Sequence, residues 1–217
     1  LNAALPAILE ARRGSSGAGV ARAERLLAKL LDRAGDDAGA ARATDRALVA
    51  AKHDPRQLAA TVLDAVARAY VARDLAGARR AAKHAVGANL RDDEIVYAGL
   101  WLRLLEKELG KEADGTATAL LGSIEQGAGW PGRLAAWSSG KLSDQELANQ
   151  ARTPSQRTES AFYRALARKA AGDAAGAEGG LREVVAAKTV DLMEAQIARD
   201  LLAGNDRRLP NPTPDVR

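Results

Sequence analysis

The sequence predicts an all-α protein built from antiparallel helix pairs, and three observations support that prediction. Nearly half of the 217 residues are apolar (47%), mostly Ala followed by Leu and Val, whereas aromatic residues account for 3%. Alanine is the strongest helix former, and the residues that favour strands are sparse. Apolar residues also recur at helical spacing over many windows, with no sustained alternation. The breaks between these windows are short, which favours antiparallel neighbours.

The apolar stripes mark the expected helices in chain order. They cover 26–34, 58–70, 95–105, 120–124, 162–170, 181–185 and 192–202. The third stripe is the broadest, so its helix is expected to be the most deeply buried. A further helix is expected over 143–151, because Ser143 and Glu146 have the spacing of a capping box. Pro154 is expected near the start of the next helix, where its missing N–H breaks no hydrogen bond.

Glycine and proline mark the segments that are expected to lack helix. The segment 127–132 combines three glycines with a proline and predicts a loop. Trp130 and Trp137 are expected to hold that loop against the core, because each can bury a large apolar area. The segment 209–217 contains three prolines and is expected to be a disordered tail. Near the start of the chain, closely spaced glycines predict a flexible turn before a helix that begins near Val20.

The first residues give an expectation about the origin of the chain. It begins at Leu1 without a Met, and it lacks a basic segment followed by an apolar one. We therefore expect a fragment or a processed form of a longer protein. A run of about 18 apolar residues would indicate a membrane-spanning helix, and the sequence contains none.

One short signature occurs three times and indicates an internal repeat. It reads Asp37-Ala-Gly-Ala40, Asp74-Leu-Ala-Gly-Ala78 and Asp173-Ala-Ala-Gly-Ala177. Each copy follows a predicted helix and opens the next one, with Gly35, Arg73 and Gly172 at the matching turn position. The spacings between these turns correspond to about one and about three periods of roughly 34 residues.

This pattern resembles the tetratricopeptide repeat, in which a first helix ends at Gly, an acidic residue follows and a small Ala opens the second helix. The last repeat matches with Gly172, Ala177, Leu181 and Val184, whereas Arg73 replaces Gly in an earlier one. The resemblance implies an α–α superhelix, a solenoid, over residues 1–208. Its repeats would lie near 20–52, 56–88, 92–126 and 158–187, with a capping helix over 191–203.

The last third of the chain carries a second resemblance. Its Gly129-Trp-Pro run, its Glu159-Ser-Ala-Phe-Tyr-Arg-Ala run and its Val190-Asp-Leu-Met-Glu run are similar to the closing segment of many bacterial tetratricopeptide proteins, lipoproteins among them. This resemblance implies a periplasmic or envelope-associated location in preference to the cytoplasm.

The resemblance also implies a role as a scaffold that binds a partner protein or peptide. In this family the first helices of the repeats line a concave groove. The matching positions here are Arg22, Arg25, Lys29 and Arg33, then Leu63, Ala67 and Tyr70, then Phe162, Leu166 and Lys169. The basic members would attract an acidic segment or a chain terminus. A solvated basic helix face is the alternative, since Lys29 stands where the family's carboxylate clamp needs an Asn.

Catalysis is not expected from this sequence. It contains no cysteine, and its two histidines, His53 and His84, have no neighbours that suggest a catalytic or metal site. Neither a cofactor nor a metal is expected. The acidic run Asp92, Asp93 and Glu94 is expected to cap the start of a helix, because carboxylates are favoured at the positive end of the helix dipole.

Two other functions stay open at this point. A net charge of +4 and a pI near 9.6 would suit nucleic-acid binding. Interleaved acidic residues and scarce aromatics argue against that function, so no nucleic acid is expected as a partner. The other alternative is a structural domain of a larger bacterial envelope or signalling protein that forms a homo-oligomer.

Overall fold

The computed structural model describes residues 4–13, 17–187 and 192–206. Within those residues the protein is all-helical, with twelve α-helices and no strand, so the predicted fold class is confirmed. The chain divides into two compact units, residues 1–141 and 142–217, where the sequence predicted one domain over 1–208. The arrangement of the helix pairs into a superhelix stays a prediction.

The first unit contains eight helices among its described residues. They are α1 (Ala4–Arg13), α2 (Ala18–Arg33), α3 (Asp37–Ala51), α4 (Pro55–Ala72), α5 (Leu75–Lys83), α6 (Asp92–Glu108), α7 (Thr116–Gly122) and α8 (Trp130–Ser138). Consecutive helices pack as the pairs α2–α3, α4–α5 and α6–α7. The first helices of neighbouring pairs also pack together, α2 on α4 and α4 on α6. This unit therefore consists largely of adjoining helix pairs.

The second unit contains four helices among its described residues. They are α9 (Asp144–Gln150), α10 (Pro154–Ala170), α11 (Ala174–Ala186) and α12 (Met193–Asp206). The long helix α10 contacts the other three, and α11 also packs on α12. The expected capping helix over 191–203 corresponds to α12, although Asp191 lies outside the described residues. The expected tail over 209–217 also lies outside them.

The repeated signature forms the same local structure in all three copies. Asp36, Asp74 and Asp173 are the N-caps of α3, α5 and α11, and each carboxylate accepts a hydrogen bond from the backbone N–H three residues later at 2.8 Å. The donor is a glycine each time, because a Cβ at that position would overlap the capping carboxylate. In the first copy the cap is therefore Asp36, and Asp37 lies in the first turn of α3.

The turn before each of these caps has a left-handed backbone. Gly35, Arg73 and Gly172 have φ angles of 78°, 59° and 87°, which confirms that they occupy equivalent turn positions. Glycine adopts this conformation without steric cost, whereas Arg73 is the single non-glycine residue with positive φ in the described part of the chain.

The alanine-rich interfaces bring helices into close contact. The first alanine after each signature glycine, Ala40, Ala78 and Ala177, is buried. At Gly180 of α11, an added Cβ would lie 2.8 Å from the Cβ of Ala165 on α10. These contacts show that small side chains set the distance between paired helices.

The structure confirms two local predictions and corrects a third. The capping box of Ser143 and Glu146 opens α9, and Pro154 is the first residue of α10. The loop predicted over 127–132 is wrong from Trp130 onward, because α8 begins there with Pro131 in its first turn, a position that suits proline. Gly132 allows this turn to form, since a Cβ there would overlap the backbone of Gly127.

Candidate binding surface

The basic residues of α2 lie along one side of that helix. Arg22, Arg25, Lys29 and Arg33 are three or four residues apart, so their side chains follow one stripe. The opposite side of α2 is buried, and its Leu27 and Ala28 form an apolar cluster with Ala43 of α3. Burial of that apolar side directs the basic stripe away from α3.

Two of these cations share one acidic partner on α4. The Nε and Nη2 atoms of Arg25 donate to Oδ2 of Asp64 at 2.9 and 2.7 Å. The Nζ atom of Lys29 lies 3.0 Å from Oδ1 of the same carboxylate. Asp64 therefore joins α2 to α4 and compensates one of the two positive charges.

A shallow depression of about 200 Å³ lies over this contact. Arg22, Arg25, Leu26, Lys29 and Gln57 line it. Leu26 is 46% exposed, which makes it one of the few large apolar side chains on the surface of the described residues. The Oε1 atom of Gln57 is buried without a hydrogen-bond partner. The depression thus combines positive charge with an aliphatic contact point.

The outer members of the basic stripe are more accessible than Arg25. Arg22 and Arg33 are exposed, and neither forms an ion pair with another described residue. Surface cations that carry no acidic partner keep their attraction for an incoming anion. Of the four predicted basic residues, Arg22 and Arg33 are thus the most available to a partner. Lys29 is exposed but pairs with Asp64, and Arg25 pairs with the same carboxylate.

The predicted aromatic contact residues lie inside their units. Tyr70 is 1% exposed, and its hydroxyl donates to Oε2 of Glu108 at 3.0 Å. Burial, followed by the charge of Glu108, raises the pKa of Tyr70 well above its ordinary value. Phe162 is 0% exposed, and its ring packs edge-on against the ring of Tyr163, with 5.2 Å between the two ring centroids. Neither ring reaches the surface, so the expectation that they contact a partner is corrected.

The remaining predicted positions do not extend the basic stripe. Lys169 is half-buried on α10 in the second unit, whereas the stripe lies on α2 in the first. Leu166 and Ala67 are buried, and Leu63 is partly buried. The candidate surface of the first unit is therefore confined to the side of α2 that faces α4.

Sequence reasoning did not identify three of the residues that shape this surface. Asp64 and Gln57 belong to no motif, and Leu26 belongs to an apolar stripe, which predicts burial and not exposure. One signal is present in the sequence, since Asp64 is the single acidic residue in the mostly apolar segment 58–70. Its pairing with Arg25 required the relative position of α2 and α4.

The other polar residues that the sequence raised as candidates, the two histidines and the acidic run 92–94, lie at or next to helix ends. His53 and His84 are exposed and lie next to helix ends. Asp92, Asp93 and Glu94 form the first turn of α6, as predicted, and Glu94 accepts the backbone N–H of Arg91 at 2.9 Å. No cluster of three metal-binding side chains occurs in this part of the chain.

A helix that crosses a bilayer needs about 20 mostly apolar residues. None of the described helices is both long enough and sufficiently apolar to do so. Comparisons of the chain with models of protein families, with curated proteins and with solved structures give no match.

Proposed function

We propose that this chain is a protein-binding scaffold of the tetratricopeptide-like kind, and that the basic side of α2 binds an acidic segment of a partner protein. The observation that supports the proposal is the depression lined by Arg22, Arg25, Leu26 and Lys29, where three cations line the same space and one carboxylate, Asp64, pairs with two of them, Arg25 and Lys29. The adjoining helix pairs of the first unit agree with such a scaffold.

The charge balance at this depression favours an anionic partner. Asp64 is shared by Arg25 and Lys29, and Arg22 has no acidic partner among the described residues. A carboxylate that approached the depression would meet Arg22 and Lys29, both of which are exposed. Charge-assisted hydrogen bonds to such cations are about twice as strong as neutral ones.

Leu26 adds an apolar element to the recognition. Its side chain is exposed between the basic residues and lines the same depression. An aliphatic side chain next to the partner's carboxylates would remove apolar surface of Leu26 from water, at about 25 cal/mol per Å². The partner proposed here is therefore a segment that carries both acidic and aliphatic residues.

A cross-linked pull-down from the source cell tests this function. The unmodified chain is compared with a variant that carries Arg22→Glu and Lys29→Glu at two exposed positions, while Arg25 and Asp64 themselves are kept. Arg42→Glu on α3 is the matched control, because Arg42 is also exposed. We expect the double variant to lose partners that the control retains. Recovery of the same partners by all three chains would refute the proposed surface.

The alternative of self-assembly is separated by a second measurement. Light scattering of the purified chain gives its molar mass over a range of concentrations. A scaffold that binds a different protein through α2 should stay monomeric, with or without Arg22→Glu and Lys29→Glu. An oligomer that dissociates when these two residues are changed would assign the α2 surface to self-association instead.

A further inference from the structure

Two glutamates of the second unit are buried, and neither takes part in the proposed binding surface. Glu194, in the first turn of α12, is 2% exposed, and Glu159 on α10 is 5% exposed. Carboxyl groups are seldom buried to this degree, because removing a charge from water is costly. The burial of these two carboxyl groups between packed helices therefore needs a physical explanation.

Tyr163 links one of these carboxyl groups, Glu194, to the helix that carries the other. Its hydroxyl donates to Oε1 of Glu194 at 2.8 Å, which joins α10 to α12. Glu159 is four residues before Tyr163 on α10, so the two side chains lie on the same side of that helix. All three groups are buried, and they lie where α12 packs on α10.

This placement makes the charge of Glu194 costly. Burial, and then the nearby Glu159, raise the pKa of Glu194 to about 7, against the opposing effects of its own backbone N–H and of the Tyr163 hydroxyl. The charged residues of α11, the other helix on α12, are turned outward: Arg182 and Glu183 are exposed, and Arg182 pairs with Glu178 at 2.6 Å. Lys188 and Asp191 lie outside the described residues.

The helix that carries Glu194 covers apolar surface of the second unit. Ala195, Ile197, Ala198 and Leu201 of α12 are all buried. They form the side of α12 that packs against α10 and α11. Separation of α12 would therefore expose a continuous apolar face on the helix and on the two helices beneath it.

We propose that a proton held by the buried carboxyl pair Glu159 and Glu194 keeps α12 packed on α10, and that loss of this proton at higher pH loosens α12. The device is independent of the α2 surface in the first unit. It would control whether the apolar face under α12 is available for contact.

The direction of this pH effect follows from the number of protons that the packed and open states bind. In an open state, Glu194 is solvated and ionises near its ordinary pKa of 4.5, whereas the packed state holds its proton up to about 7. Between these values the packed state binds more protons, so a rise in pH favours opening. From pH 5.5 to pH 8 the opening equilibrium constant should increase on the order of 20-fold.

Amide hydrogen exchange of the full chain tests this proposal. Protection factors for α12 are measured at pH 5.5 and pH 8, corrected for intrinsic exchange rates, with α4 in the first unit as the internal reference. We expect α12 to lose protection by roughly 20-fold at pH 8 relative to α4. In Glu194→Gln, protection of α12 should be high and equal at both pH values. Equal loss in α12 and α4, or a pH response that survives Glu194→Gln, would overturn the proposal.

Two further variants keep the test decisive. Glu178→Gln is the matched control, because this α11 glutamate is half exposed, and it should respond to pH as the unmodified chain does. Glu159→Gln removes the repulsive neighbour and should move the midpoint of the α12 transition to lower pH. If Glu194→Gln does not fold, as judged by circular dichroism, the midpoint shift in Glu159→Gln decides the matter. An unchanged midpoint in that variant would refute the coupling of the two carboxyl groups.

Discussion

The guanidinium of Arg73 pairs with the carboxylate of Glu108, and through this contact the turn after α4 is joined to the end of α6. Arg73 adopts a left-handed conformation with a φ of 59°, which costs an L-residue about 1–2 kcal/mol. Glu108 also accepts the hydroxyl of buried Tyr70. The ion pair thus supplies a reason for an arginine at a turn position where the other two repeats have glycine.

Replacement of Arg73 should separate the backbone effect from the charge effect. Arg73→Ala keeps the conformational cost and loses the partner of Glu108, so we expect a loss of about 2 kcal/mol of unfolding free energy. Arg73→Gly relieves the backbone and should lose about 1 kcal/mol less than that. Urea unfolding followed by circular dichroism measures both. Arg80→Ala is the control, because its ion pair with Asp45 is long, at 4.0 Å, and exposed. Equal losses in the two Arg73 variants would contradict this interpretation.

Asp64 should influence stability and binding in opposite directions. Asp64→Asn removes the carboxylate that joins Arg25 and Lys29 to α4, so we expect a loss of about 1–2 kcal/mol of unfolding free energy. The same change frees both cations, which should tighten binding of an acidic peptide several-fold at low salt.

Fluorescence anisotropy with a labelled peptide of alternating Glu and Leu measures this affinity at two salt concentrations. Asp45→Asn on α3 is the control, since Asp45 is exposed and outside the depression. Weaker binding by folded Asp64→Asn would argue against the α2 surface as the binding site.

Alanine substitutions at two adjacent glycines of α11 should change the stability of the chain in opposite directions. An added Cβ at Gly179 meets no atom within 4 Å, whereas at Gly180 it would lie 2.8 Å from Ala165 Cβ. Gly179→Ala should stabilise the chain by about 1 kcal/mol through helix propensity. Gly180→Ala should destabilise it by about 1–3 kcal/mol, because α10 and α11 must move apart. Thermal unfolding of the two variants checks this prediction, and each variant is the control of the other. Melting temperatures that shift in the same direction in both variants would be inconsistent with the close contact.

The Tyr163 hydroxyl should alter the pH dependence of stability. Because the pKa of Glu194 is raised from 4.5 to about 7, its contribution to unfolding free energy falls as pH rises between these values, by up to about 3 kcal/mol. The hydroxyl stabilises the ionised carboxylate, so Tyr163→Phe should raise the pKa of Glu194 further. We expect the decline in melting temperature to extend to higher pH in Tyr163→Phe than in the unmodified chain. A decline that ends at lower pH would show that the hydroxyl favours the protonated form.

The sequence by itself determined most of the helices and several of the turns and caps between them. Helical periodicity, an Asp cap followed by glycine and a left-handed turn residue all act within a few neighbouring positions, so their effects can be read locally. For this reason the three turn positions and the capping box of α9 were predicted correctly, although the first cap is Asp36 and not Asp37. The start of α8 was not, because Gly-Trp-Pro-Gly has the composition of a loop, and its helix depends on the backbone approach of Gly132 to Gly127.

Tertiary structure decided which side chains face a partner. Arg25 and Asp64 are 39 residues apart, and Tyr163 and Glu194 are 31 apart, so neither contact has a local signal. Tyr70 and Phe162 stand at positions that the repeat pattern assigns to the groove, yet both are buried. Helical spacing sets the side of a helix on which a residue lies, but the neighbouring helix sets whether that side is solvated, and the chain supplies that neighbour from a distant segment.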